Sequence, residues 1–110
     1  MERGDVVLVN LDPVVGSELG KRRPAIVLQN ELANRSSPTV TVIPVSSRLD
    51  RVYPFQVRLS AGEGGLPQDG KALCEQVRTV SRERIVKHLG RLSSERLSEL
   101  RTALDRHLWF

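Results

Sequence analysis

Residues 5–29 read DVVLVNLDPVVGSELGKRRPAIVLQ, two short apolar runs separated by a polar, glycine-bracketed stretch. The first run, Asp5 to Leu11, is rich in β-branched residues and ends at Asp12-Pro13, where a proline with no N–H to donate should stop a ladder. Residues 13–23 hold two glycines, a serine and the basic triplet Lys21-Arg22-Arg23, the composition of a long mobile loop. The second run, Pro24 to Gln29, carries its proline at the first position, where a strand tolerates one. The spacing is that of strand, loop, strand.

The pattern repeats downstream. Residues 30–38 (NELANRSSP) are turn chemistry, and Thr39 to Val45 (TVTVIPV) is a third strand whose Pro44 suggests an edge or a bulge. A polar loop from Ser46 to Val52 leads to Pro54–Leu59, where Phe55, Val57 and Leu59 alternate with Gln56 and Arg58. Residues 60–70 (SAGEGGLPQDG) carry four glycines and a proline and read as a flexible connection. Lys71 to Val80 reads as one strand, ambiguous with helix on composition alone, residues 81–84 as a single helical turn, and Ile85 to Leu92 as a strand bent or bulged at Gly90. The last segment changes period: Ser93 can cap a helix whose Leu97, Leu100, Leu104 and Leu108 fall on one face, with Arg101 and Asp105 paired on the other. Trp109-Phe110 should tuck against that helix or a partner. Five or six short strands and a terminal helix define a mainly β (α+β) domain over residues 1–110, a small, partly open β-barrel.

With 110 residues the chain is one domain, able to bury a core without staples. The lone cysteine, Cys74, excludes an internal disulfide, and one Cys with two distant His cannot make a zinc site. The carboxylates show no metal-ligand spacing, so neither metal nor cofactor is expected. No apolar run approaches a membrane span, and the start lacks the pattern of a signal peptide, so a cytoplasmic protein is expected. The four aromatics are too few for an RNA-recognition sheet that stacks bases.

The net charge is +4, from 17 Lys and Arg against 13 Asp and Glu. Eight of those cations sit in two clusters, Lys21-Arg22-Arg23 and Arg78, Arg82, Arg84, Lys87 and Arg91, which suits a polyanion such as a nucleic acid and equally suits solvated rims. Nothing brings His88 and His107 together, and Cys74 on an apolar run reads as core. Taken alone, residues 16–28 are a hairpin loop that delivers Glu18 and Arg23 to the start of a strand.

Arg3-Gly4-Asp5-Val6, Asp12-Pro13, Gly16-Ser17-Glu18, Arg23-Pro24-Ala25-Ile26-Val27-Leu28, Tyr53-Pro54-Phe55, Asp69-Gly70 and Gln76-Val77-Arg78-Thr79 occur in one order. In this order the sequence resembles the MazF/PemK family of toxin endoribonucleases from toxin–antitoxin systems. The resemblance implies an SH3-like barrel with a C-terminal helix, a homodimer, and a cognate antitoxin as partner. It implies metal-independent, sequence-specific cleavage of single-stranded RNA, in which the 2′-hydroxyl attacks the adjacent phosphate to leave a 2′,3′-cyclic phosphate and a 5′-hydroxyl. By position the family's catalytic arginine falls on Arg23 and its hydroxyl, usually a threonine, on Ser46, with Ser47 close enough to be confused with it. Glu18 is the nearby carboxylate, a base or a group that orients Arg23. Gly16, Ser17, Lys21, Asn34, Ser47, Gln76 and Arg78 are the expected RNA contacts, Gln76 on a base edge and Arg78 on phosphate. The competing readings are a non-catalytic toxin of the same barrel type that poisons a protein such as DNA gyrase, and a nucleic-acid-binding barrel without activity.

Overall fold

The computed structural model describes residues 1–18 and 20–109, without the side chains of Glu31, Ala33 and Asn34. Its elements are β1 (Asp5–Asn10), β2 (Arg22–Val27), α1 (Glu31–Ser36), β3 (Thr39–Ser46), β4 (Gln56–Leu59), β5 (Gly70–Leu73), β6 (Arg78–Ser81), β7 (Ile85–Arg91) and α2 (Ser94–Leu108). All pairings are antiparallel. β7, β1, β2, β3 and β6 form one curled sheet, and β3 also carries β5 and then β4. A 3-10 turn at Arg82–Arg84 joins β6 to β7. No ladder links those two strands among the described residues, so the SH3-like barrel is partly open.

Two cores explain why β1 to β3 read as continuous apolar runs and not as an alternation: both faces of these strands are covered. Val7, Val9, Ala25, Val27, Val40, Val42 and Val80 fill the barrel. Val6, Ile26 and Ile43 point outward against Leu59 and Ala72 of the small sheet and Leu100 and Ala103 of α2. Each fully buried aliphatic side chain contributes about 1.5–3 kcal/mol.

Several expectations are corrected. Residues 31–36 are a short helix, because Glu-Leu-Ala is a good helix former and Ser36 Oγ closes the turn on Leu32 O at 2.7 Å. The run 71–80 is two strands broken by a 3-10 turn at Cys74–Gln76. β3 imposes the break: its Thr39–Val42 half pairs with β6 and its Val45–Ser46 end with β5. β2 starts at Arg22, so Pro24 is its third residue and not its first. Pro44 lies in a central strand and is buried.

Residues 60–70 are not a flexible connection. Glu63 Oε2 accepts from Ser60 N at 2.7 Å, Asp69 Oδ1 from Ala61 N at 2.8 Å, and Arg96 grips both Glu63 oxygens at 2.8 and 3.0 Å. The glycines serve close approach: a Cβ on Gly90 would lie 2.5 Å from the Gly64 carbonyl carbon, and Gly90 sits at a β1–β7 bulge, as its sequence position suggests.

Helix α2 starts where expected, Ser93 Oγ accepting from Arg96 N at 3.2 Å. Leu100 is buried and Leu97 and Leu104 pack on the core, but Leu108 is exposed. Trp109, at 79% exposure, does not tuck against the helix, and Phe110 lies outside the described residues. No Arg101–Asp105 ion pair forms among the described residues; Arg96 instead bridges Glu63 and Glu99.

Candidate active site

The site begins with two prolines. Leu28 N donates to Thr41 O at 3.0 Å, so by strand alternation Leu28, Ile26 and Pro24 turn their backbone groups toward β3. The rung that would extend this ladder needs a donor on Pro24, which has none, and the last pair is Ala25 with Pro44. Pro44 turns the opposite way, toward the interval between the Val42–Arg78 pair, the last with β6, and the Val45–Ala72 pair, the first with β5. Continuing the β2–β3 register would set Arg23 opposite Ser46. Instead the strands part there.

The fork holds a cavity of about 450 Å³. Arg22, Arg23 and Pro24 line one side, Val45, Ser46 and Ser47 the base, and Leu66 to Gly70 the far wall. Lys87 of β7 also lines it, carried in by the cross-strand row Lys87–Leu8–Pro24.

Arg23 is half-buried, and its Nε donates to Gly20 O at 3.1 Å. Its terminal nitrogens have no protein partner among the described residues and are free to bind an anion. Ser46 is 3% exposed; its Oγ accepts from Arg48 N at 3.2 Å, which leaves the hydroxyl proton to be donated elsewhere. Ser47 lines the same cavity and is exposed.

The other expected residues lie elsewhere. Glu18 does not line the fork: its Oε1 accepts from Val15 N at 2.8 Å and closes a turn in the exposed loop. Gly16, at φ 61° with open space around it, and Ser17 share that loop. Lys21 stands at the loop's end, in the left-handed region at φ 67°, with its N–H on Asp12 Oδ1. Gln76 is in the 3-10 turn and Arg78 opens β6; neither lines the fork. Arg78 Nη1 is buried without a partner. Asn34 belongs to α1, and its side chain is outside the described residues.

Sequence reading assigned no separate role to Lys87 or Arg22, both exposed with free side chains at the cavity, nor to Gln68 and Asp69 on its far wall. Only the cross-strand register brings Lys87 here, and no local motif carries that signal. Asp69 is committed, Oδ1 to Ala61 N and Oδ2 to Arg58 at 3.6 Å, so the fork is net cationic. Burial, and then the charge of Glu75, push the Cys74 thiol up to about 12, which keeps it a core residue and no nucleophile. His88 faces Asp5 at 3.6 Å and His107 packs on Phe55; neither lines the cavity.

A small barrel with an arginine and a buried hydroxyl lining one cationic fork is a frame for handling a phosphodiester in the open. The family model for "PemK-like, MazF-like toxin of type II toxin-antitoxin system" matches residues 2–108. The chain belongs to this PemK/MazF toxin family. It is 44% identical over 113 residues to "Endoribonuclease MazF9" of Mycobacterium tuberculosis, covering 98% of this chain and 96% of that one. A crystal structure of MazF from Deinococcus radiodurans matches with a TM-score of 0.86 at 32% identity, over 100% of this chain and 97% of that one. A MazE–MazF crystal structure from the same organism matches at 0.79 and 33%, over 98% and 95%.

Proposed function

We propose that this protein is the toxin of a type II toxin–antitoxin pair and a metal-independent endoribonuclease that cleaves single-stranded mRNA at a short sequence. The observation that carries the reading is the shared fork: Arg23 and Ser46, the family's arginine and hydroxyl by position, line one cavity with Arg22 and Lys87. A ribose 2′-hydroxyl gives its proton to a base as its oxygen attacks the adjacent phosphorus, the P–O5′ bond breaks, and the departing O5′ takes up a proton from an acid or water, leaving a 2′,3′-cyclic phosphate and a 5′-hydroxyl. The free nitrogens of Arg23 hold the phosphoryl oxygens as their charge rises, and Ser46 donates its proton to the same group. Arginine is a poor base because its pKa lies above about 12.

Glu18 takes the base's role, or orients Arg23, only when the 13–20 loop folds over bound RNA and releases the Val15 amide. Glu18→Gln keeps the turn-capping oxygen and removes the base, so it separates the two roles. Gly16, Ser17 and Lys21 on that loop, with Asn34 and Ser47, contact the RNA. Gln76 reads a base edge and Arg78 meets a phosphate; the unpartnered Arg78 Nη1 supports the latter. The protein works in the cytoplasm as a homodimer, the pairing supported by the exposed apolar Leu108 and Trp109, and an acidic antitoxin segment covers the cationic fork.

The test is gel analysis of a long single-stranded RNA in excess EDTA, wild type beside Arg23→Ala. Discrete fragments with 5′-hydroxyl ends from wild type, reduced about 100–1,000-fold in the variant, are expected. Equal cleavage by both places the active site elsewhere. Intact RNA in both lanes, across several sequences, moves the reading to a toxin that binds a protein target.

A further inference from the structure

The sequence leaves the cations of β6–β7 as either a phosphate-tracking stripe or a solvated rim, but Arg84 does something else. From the 3-10 turn before β7 its Nη1 donates to Asn10 O at 3.2 Å and to Asp12 O, so it is spent on backbone at the point where β1 ends. From Asp12 the chain of contacts continues. Asp12 Oδ1 accepts from Lys21 N at 2.8 Å, and Leu11 N donates to Lys21 O at 2.9 Å, which closes the neck of the 12–20 loop. Lys21 is the one non-glycine residue with positive φ among the described residues, a conformation that costs about 1–2 kcal/mol without compensation. Gly20 sits so close that a Cβ would lie 2.6 Å from Asp12 Oδ1, and its carbonyl accepts from Arg23 Nε.

We propose that Arg84 and Asp12 are positioning residues that act through the loop neck on Arg23, holding the Gly20 carbonyl where it aims the Arg23 guanidinium into the fork. The inference rests on Arg23 being catalytic. It makes Arg84 a holder of backbone through Nη1, which faces two protein carbonyls, and not an RNA contact. Arg23 needs such a holder because its two terminal nitrogens are unpartnered among the described residues: one Nε bond anchors it, and a freely rotating guanidinium would meet a phosphate in many wrong poses. The neck holds a left-handed Lys21 in place with hydrogen bonds at both its N–H and its carbonyl, which fits a segment shaped for the site.

Arg84→Ala, Arg84→Lys, Asp12→Ala, Arg23→Ala and the Arg84→Ala/Arg23→Ala double variant are compared by single-turnover cleavage at saturating and limiting protein, with the Arg23 Nε–H signal followed by NMR. Arg84→Ala and Asp12→Ala should each lower the chemical rate by about 100-fold with RNA affinity within a factor of about two. Both should shift and broaden the Arg23 Nε–H signal, Arg84→Lys should recover part of the rate, and the double variant should be no slower than Arg23→Ala. Independent, multiplying losses in the double variant, a loss of affinity at unchanged rate, or an unmoved Arg23 signal would each overturn the inference. Should Arg84→Ala fail to fold, Asp12→Ala carries the same comparison from the other end of the neck. An Arg23→Ala variant that cleaves like wild type refutes the assignment of Arg23, and the NMR signal then judges the neck by itself.

Discussion

The far wall of the fork, residues 65–70, follows directly on a glycine-rich turn, and a pair of alanine substitutions separates the two reasons for a glycine in this segment. Gly65 has φ 74°, and a Cβ on it would lie 2.1 Å from Leu89 O and 2.7 Å from Leu89 C. Gly62, three residues earlier, has φ 91° with nothing within 4 Å of such a Cβ. Left-handed backbone costs an L-residue about 1–2 kcal/mol, so Gly62→Ala should lose about that much. Gly65→Ala carries the same cost plus overpacking against main chain that cannot swing aside, about 1–3 kcal/mol more. At about 4–8 °C per kcal/mol, Gly62→Ala should lower Tm by roughly 5–15 °C, and Gly65→Ala by roughly 10–40 °C. The assay is thermal unfolding by circular dichroism at one fixed protein concentration, since the melting of any oligomer depends on concentration. Cleavage at a temperature where both variants are folded adds a second readout: the Gly65 variant should lose rate, because residues 65–70 line the cavity. Equal Tm losses for the two variants would refute the close-packed wall and restore a flexible connection.

Other outcomes follow from single contacts. The Arg96 guanidinium and the Ser60 amide hold the Glu63 carboxyl below its ordinary range, so its stabilisation is complete above pH about 4.5 and fades as pH falls through the lowered value. Urea titrations should find Glu63→Gln about 1 kcal/mol less stable than wild type at pH 7 and equal to it near pH 2. Lys87→Ala should weaken RNA binding and flatten the log–log salt dependence by about 0.7, measured by fluorescence anisotropy, with the chemical rate unchanged. Cys74 should resist iodoacetamide at pH 8 in the native protein and react only on unfolding, followed by mass spectrometry. Pro24→Ala restores a donor facing β3, so the hydrogen bond gained (about 0.5–1.5 kcal/mol) offsets the lost chain stiffness (about 0.4–1 kcal/mol). Its Tm should therefore barely change while kcat falls.

Most strands were legible because their cause is local: β-branched runs, bounding prolines and the Ser93 cap are physical instructions within a few residues. The misreadings share a cause of the opposite kind. KALCEQVRTV suits one strand or a helix on composition, and what makes it two strands is β3, some thirty residues earlier, which takes one partner on each half of its edge. Glycines 62 to 70 look like freedom in sequence, yet two of them are consumed by contact with Leu89 and Gly90. In the site, the Arg-Pro string and the serine after the third strand stand out through resemblance, and family position is what proposes Arg23 and Ser46. Lys87 could not be found that way, because only register across β1 delivers it to the fork.

The order of residues in Arg23-Pro24 has a physical reason. A hairpin pair such as β2–β3 tends to zip as far as donors allow, and every added rung draws opposing side chains to about 5 Å. Had the ladder run on, Arg23 and Ser46 would face each other as an ordinary cross-strand pair, with no room for a phosphodiester between them. A proline one residue after the arginine stops the zipper at that rung, because Pro24 turns its missing donor to β3, while Arg23 turns its own backbone to β1, where it pairs with Val9. Arg23 thus stays anchored on one side and unzipped on the other. Exchanging the two residues would put the missing donor on the β1 edge and let β3 close over the site. The fork is therefore a consequence of which edge loses its hydrogen bond, and the dipeptide sets both the reactive group and the space it works in.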